Sequence, residues 1–243
     1  LGHYGNAASV ACIADWAGVS TGTVTNLCYR VAIALLDHHD TSITWPTPAQ
    51  CADAKAYAVQ RSECETWAGG YLAVDGTAIK LYQKPGLFGE SWYNKDSVYA
   101  IALQVRITYQ VVILVDTLEI VNYSVGNVRS VHDSVAFQDT RIAAEHDRLL
   151  QCGDRLLADA AYPLMPWCIT PFRKPVGKQL SRERRHFNYW HSRLRVQVEC
   201  AIGLLKGTWQ SLHELRIQIK NLHAHAWAII WIRCALILHN LII

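Results

Sequence analysis

Apolar and small residues at Ile13, Ala14, Ala17, Val19, Val24 and Leu27, grouped around Gly18, predict two helices and a tight turn within residues 8–37. Ala14 permits close helix approach, Val24 plugs the second helix onto the first, and Ser20 and Thr21 are natural caps. A Pro-containing linker follows at 41–50 (TSITWPTPAQ), then a helical stretch to about Trp67. From Gly70 the period changes to two. YLAVDGTAIKLY puts Tyr71, Ala73 and Asp75 on one face of a strand and Leu72 and Val74 on the other. SVYAIALQVRIT and QVVILVDTLEIVNYSVG read as two more strands, the second too apolar to lie on a surface. A helix is expected over 139–150, a short strand over 155–158 that ends in Asp159, an amphipathic helix over 192–206, and a helix from about Leu222 onward. This order predicts an α/β fold with a mixed sheet. No internal repeat or low-complexity tract interrupts it.

Composition narrows the class. Of 243 residues, 51% are hydrophobic and 18% charged, and 9 are Trp, which excludes a disordered or collagenous chain. The length corresponds to one or two domains, with enough residues to bury a core unaided. The 8 Cys are scattered, with no CxxC pair, so reduced thiols in an intracellular compartment are expected rather than a zinc ribbon or a disulfide scaffold. The first residue is Leu1, with no Met and no signal-peptide pattern, as in a fragment of a longer chain. Residues 226–243 are almost wholly apolar, but Arg233 near their middle favours a buried core helix over a membrane span.

The net charge of +3 hides an asymmetry. Residues 1–170 hold 11 Lys/Arg against 17 Asp/Glu, whereas residues 171–243 hold 12 against 3. The excess concentrates in Arg173, Lys174, Lys178, Arg182, Arg184, Arg185, Arg193, Arg195 and Lys206. Such a strip suits a polyanion, because clustered cations neutralise phosphates and release counter-ions. His186, Phe187, Tyr189, Trp190 and His191 interleave with it, either to stack on bases or to begin the next helix. In the N-terminal helix pair, Thr23, Asn26 and Arg30 are the residues suited to DNA contact, although a single cation is sparse for a reading helix.

Three acids each interrupt an apolar element: Asp75 inside the first strand, Asp159 after LLA, and Glu199 within RVQVECAIGLL. Separate caps or salt bridges would explain them individually. Taken together, two carboxylates on strands and one on a helix form the arrangement that two-metal phosphodiester chemistry needs. Mg²⁺ or Mn²⁺ would suffice with few protein ligands, since hard ions take oxygen donors and Mg²⁺ keeps several waters. Arg195 and Lys206 share the helical face of Glu199. Asp116 and Asp133 are read as turn or cap residues, and the His pairs 38–39 and 223/225 lack partners at metal-ligand spacing. No Walker or GxSxG sequence is present.

These residues carry a resemblance. Val74-Asp75-Gly76-Thr77, then His132-Asp133-Ser134, Leu156-Leu157-Ala158-Asp159 with Tyr162-Pro163, Thr170-Pro171-Phe172, Arg195 to Glu199 with Gly203 and Lys206, and Leu238-His239-Asn240 follow one another. Their order is similar to that of DDE-type transposases of the PIF/Harbinger superfamily, and the chain resembles a Harbinger transposase-derived nuclease of the fungal type. Arg129-Ser130 replaces the usual Gly-Ser before His132, and the run VRITYQVVILV is more apolar than in the family. The resemblance implies an RNase H-like domain over 68–243 behind a helical region over 1–67 with a helix-turn-helix. It implies Asp75, Asp159 and Glu199 as catalytic metal ligands, a pair of divalent cations (Mg²⁺ or Mn²⁺), DNA as substrate, a location in the nucleus or in nucleus and cytoplasm, and a Myb-like DNA-binding partner protein. A homo-oligomer is compatible with it. The competing expectation is a catalytically inactive, domesticated derivative that binds DNA or recruits proteins.

Overall fold

In the computed structural model, the structure describes residues 8–81, 106–128, 137–138 and 140–243. Helices α1 (Val10–Ala17) and α2 (Thr21–Asp37) meet at 100°, with Gly18 in the left-handed region at φ 65°. Ala14 and Val24 are buried where the two helices touch. Ser9 and Ser20 cap them, their side-chain oxygens accepting from the Cys12 and Thr23 amides. After the single turn α3 (His39–Ser42), residues 43–47 lead to α4 (Pro48–Ser62). Thr47 and Gln50 form a reciprocal capping box there, with Pro48 at the first helical position.

The sheet is mixed. Its strands are β1 (Leu72–Leu81), β2 (Arg106–Leu114), β3 (Ile120–Val128), β4 (Leu156–Leu157) and β5 (Cys168–Ile169), in the order β3-β2-β1-β4-β5. A further strand, β6 (Glu214–Leu215), pairs with the far end of β1. The β1–β2–β3 meander is antiparallel, and β1–β4–β5 is parallel. The rest of the fold is α5 (Arg141–Leu149), α6 (Arg182–Thr208) and α7 (Leu222–Ile242). Helix α6 crosses β1 and β2 and packs against α4, while α7 lies against β3 and carries α2 and α3. This is the RNase H-like mixed sheet flanked by helices that the resemblance implied.

Sequence and structure differ at two boundaries. QVVILVDTLEIVNYSVG is not one strand: its first part completes β2 and its second part is β3. A turn at 115–119 separates them, with Leu118 at φ 66° and the Thr117 hydroxyl accepting from the Glu119 amide. The apolar residues on either side conceal that turn. Val111 to Val115 are all buried, as expected of a strand covered on both faces. The preceding expected strand lies mostly outside the described residues; only its end, from Arg106, is seen, and it belongs to β2. Helix α6 begins at Arg182 rather than Ser192, because Ser181 caps it and Glu183 favours its positive end.

Helix α7 bonds its polar side chains into the fold. Arg233 Nε donates to the Tyr123 hydroxyl at 2.9 Å, and His239 Nε2 lies 3.2 Å from the Leu118 carbonyl. The Asn240 amide donates to the Ser42 and Ile120 carbonyls and accepts from the Ile120 N–H. Helix α7 is long and apolar enough to cross a membrane, but these bonds are those of a core helix.

Candidate active site

Register places two of the acids together. On adjacent parallel strands Leu72 pairs with Leu156 and Ala73 with Leu157. Asp75 stands two residues beyond Ala73, and Asp159 two residues beyond Leu157. Both acids therefore sit at one level at the carboxyl end of the parallel pair and on the same face. On the β5 side, the Ala158 amide just before Asp159 donates to the Ile169 carbonyl at 2.9 Å. The Asp159 carboxylate accepts from the Ala161 amide at 2.6 Å, a local turn that fixes its direction.

The third acid comes from α6. His191, Arg195 and Glu199 follow one another at four-residue intervals and share a helical face. Arg195 Nη1 donates to Asp75 Oδ2 at 3.2 Å, and Nη2 donates to the Glu199 carboxylate. One guanidinium thus joins an acid on β1 to an acid on α6. Asp75 and Arg195 side chains are 21% and 18% exposed, whereas Glu199 is 51% exposed. Burial holds the Asp75 carboxyl above the usual carboxylate range. Arg195 and the Gly76 amide, which donates at 2.9 Å, pull it back, and the nearby Asp159 charge pushes it up again. The Asp159 charge is therefore felt at Asp75.

His191 is wholly buried behind this face. It bonds the Ile169 carbonyl at 3.1 Å through Nε2, and burial, reinforced by Arg195, keeps its pKa low. Lys206 ties the same helix to β1, donating to the Thr77 hydroxyl at 2.7 Å and the Ala78 carbonyl at 3.1 Å. Asn188 clamps the Thr170-Pro171-Phe172 segment with two bonds to the Phe172 backbone, at 2.8 and 2.9 Å. Sequence reasoning missed Asn188 and gave His191 only a stacking role or a place at the helix start. The four-residue spacing from His191 to Arg195 was the available signal for one of them.

The basic strip divides. Arg195 and Lys206 turn inward to β1, while Arg173, Lys174, Lys178, Arg182, Arg184 and Arg185 are exposed. Arg173 donates to the Ala160 carbonyl, next to Asp159. Arg184 lies over the Phe172 ring and Arg193 over Trp190, each 5.1 Å from the ring centre. Among the interleaved aromatics, Phe187 packs against Trp67 and Phe172, whereas Tyr189 is exposed. Thr23, Asn26 and Arg30 are exposed along α2. His132 and Asp133 lie outside the described residues, and Asp116 sits in the turn between β2 and β3.

Among the described residues, no group of three or more His, Cys, Asp or Glu side chains stands close enough together to hold a metal ion. In donor chemistry the site still fits a hard divalent ion. All three candidate ligands are carboxylates, and register sets Asp75 on β1 level with Asp159 just past the end of β4.

Comparison with known proteins bears on the family. The chain is 21% identical over 228 residues to a protein described as ALP1-like from Arabidopsis thaliana. That alignment covers 88% of this chain and 52% of the relative, so the chain spans about half the relative's length. No solved structure matches. The profile of the DDE superfamily endonucleases matches residues 74–240, a span that opens one residue before Asp75 and takes in Asp159 and Glu199. The chain belongs to the DDE superfamily endonucleases.

Proposed function

We propose that this chain is a divalent-metal-dependent DNA endonuclease of transposase type, with Asp75, Asp159 and Glu199 as the metal-holding catalytic residues. The observation that carries this reading is the register that sets Asp75 on β1 level with Asp159 just past β4, with Glu199 brought to Asp75 through Arg195. When bound, Mg²⁺ or Mn²⁺ would supply Lewis-acid stabilisation of the attacking and leaving oxygens of an in-line displacement. The chain itself supplies positioning. Strand β1 fixes Asp75, the Ala161 amide orients Asp159 in the turn just after β4, and Lys206 anchors α6 to the strand that carries Asp75. The exposed cations Arg173, Lys174, Lys178, Arg182, Arg184 and Arg185, with Arg193, hold the DNA backbone, and Thr23, Asn26 and Arg30 on α2 add contacts from the helical region 1–67. A nuclear site of action and a Myb-like partner belong to the same reading.

The test is Mn²⁺-dependent cleavage of duplex DNA by the wild-type chain and by Asp159→Asn. Cutting by the first and not by the second supports the assignment, and equal cutting overturns it. The second reading is a non-catalytic DNA-binding derivative. It is favoured by the Arg195 bridge, which already engages two of the acids with one positive charge. Salt-sensitive DNA binding by a wild-type chain that does not cut with Mn²⁺ would select it.

A further inference from the structure

We propose that Arg195 is a built-in counter-ion which holds the place between Asp75 and Glu199 that a divalent cation takes, so that metal enters by exchange with the guanidinium. The inference rests on the metal-nuclease reading above and concerns how that site is loaded.

The geometry is specific. Arg195 engages a strand carboxylate and a helix carboxylate at once, through different nitrogens of one planar fork. Asp75 lies 120 residues away in sequence, so its contact with Arg195 exists only because α6 crosses β1. The pair is mostly shielded from water, in contrast to the half-exposed Glu199. The two carboxylates bonded to this one guanidinium leave a net charge of −1, and the Asp159 charge felt at Asp75 adds to it, so the site still attracts a divalent ion.

A guanidinium stays protonated throughout the physiological range, so pH does not switch this device off. Only another cation, competing for the same oxygens, releases it. Arg195 therefore has two consequences: it holds the site together before metal arrives, and it weakens metal affinity by the free energy of its own displacement.

The test uses the full chain without DNA, measuring Mn²⁺ affinity by calorimetry and by electron paramagnetic resonance of free Mn²⁺, with thermal melts in chelator alongside. Arg195→Gln is expected to bind Mn²⁺ at least about fivefold more tightly than wild type, the lower end of usual coupling strengths. In chelator it should melt lower than wild type, and saturating Mn²⁺ should recover more of its stability. Arg195→Lys keeps the charge but makes only a point contact, and should fall between the two. It also serves as the deciding variant if the Gln form does not fold. If both proteins bind Mn²⁺ and the variant binds equally or more weakly, the exchange idea fails while the nuclease reading stands. If neither binds Mn²⁺, both fail together.

Discussion

The two ends of β4 carry acids of opposite character. Asp154, just before the strand, is 3% exposed and fully engaged: Lys55 Nζ lies 2.6 Å from one oxygen, and the Tyr71 hydroxyl and Gln151 amide each donate at 3.0 Å to the other. Asp159, just after the strand, is only partly buried, and among the described residues its carboxylate accepts one hydrogen bond, from Ala161. Strand β4 itself has two residues, Leu156 and Leu157, both wholly buried. One end is thus a closed network that locks the strand to α4 and to the start of β1. The other leaves its carboxylate in the company of Asp75, whose own carboxyl is held above the usual range by burial and by this like charge. A saturated carboxylate stabilises the fold, and a carboxylate with spare acceptor capacity is available for chemistry.

Removing the acid at each end should break the symmetry between them. Asp159→Asn is expected to lower Mn²⁺-dependent cleavage at least about a thousandfold, some 4 kcal/mol of transition-state stabilisation, with a melting temperature close to wild type. Asp154→Ala should do the reverse. Leaving half-buried Lys55 without its partner costs about 3–5 kcal/mol, or roughly 6–20 °C in melting temperature for a chain of this size. Cleavage per folded molecule should be retained. If Asp154→Ala melted like wild type, the closed network would not be the lock described.

Smaller effects sharpen the same contrast. One of the exposed cations, Arg173, bonds the Ala160 carbonyl beside Asp159. Replacing Arg182, Arg184 and Arg185 together by Ala should flatten the log–log salt dependence of DNA binding by roughly 0.9 for each phosphate no longer neutralised, without moving the melting temperature. The mildest effect lies away from both acids. Burial lowers the pKa of His225 and of His239 below the usual value. The unfolded chain therefore takes up more protons than the folded one as pH falls through about 6.5, and stability declines there. The urea midpoint should be lower at pH 5 than at pH 7.5, and His239→Gln should reduce that difference.

Much of this was legible along the chain. The alternation around Asp75, the acid after LLA and the acid within the apolar helix are local patterns, and β1, β4 and α6 carry them as read. The β2–β3 turn was legible only at Asp116, read as a turn or cap residue; the apolar runs on either side, and a Leu at positive φ that gives no turn signal, kept it from dividing the expected strand. Asp154 was missed because its partners Lys55 and Tyr71 are remote in sequence. Arg195 was half legible: its spacing to Glu199 is helical and local, but its bond to Asp75 is purely tertiary.

Asn240 has a consequence for the order in which the chain assembles. Its amide joins Ile120 and Ser42, respectively 120 and 198 residues earlier, so its three bonds close some of the longest loops among the described side-chain contacts, rivalled by that of Cys234 with Ala32. Loops of that length close only after the intervening sheet and helices have collapsed, because their entropy must be overcome before the contact rewards it. Asn240 thus acts late, as a latch set after the transition state. Asn240→Ala should leave the refolding rate nearly unchanged and accelerate unfolding, as expected where native contacts form on the downhill side of the barrier.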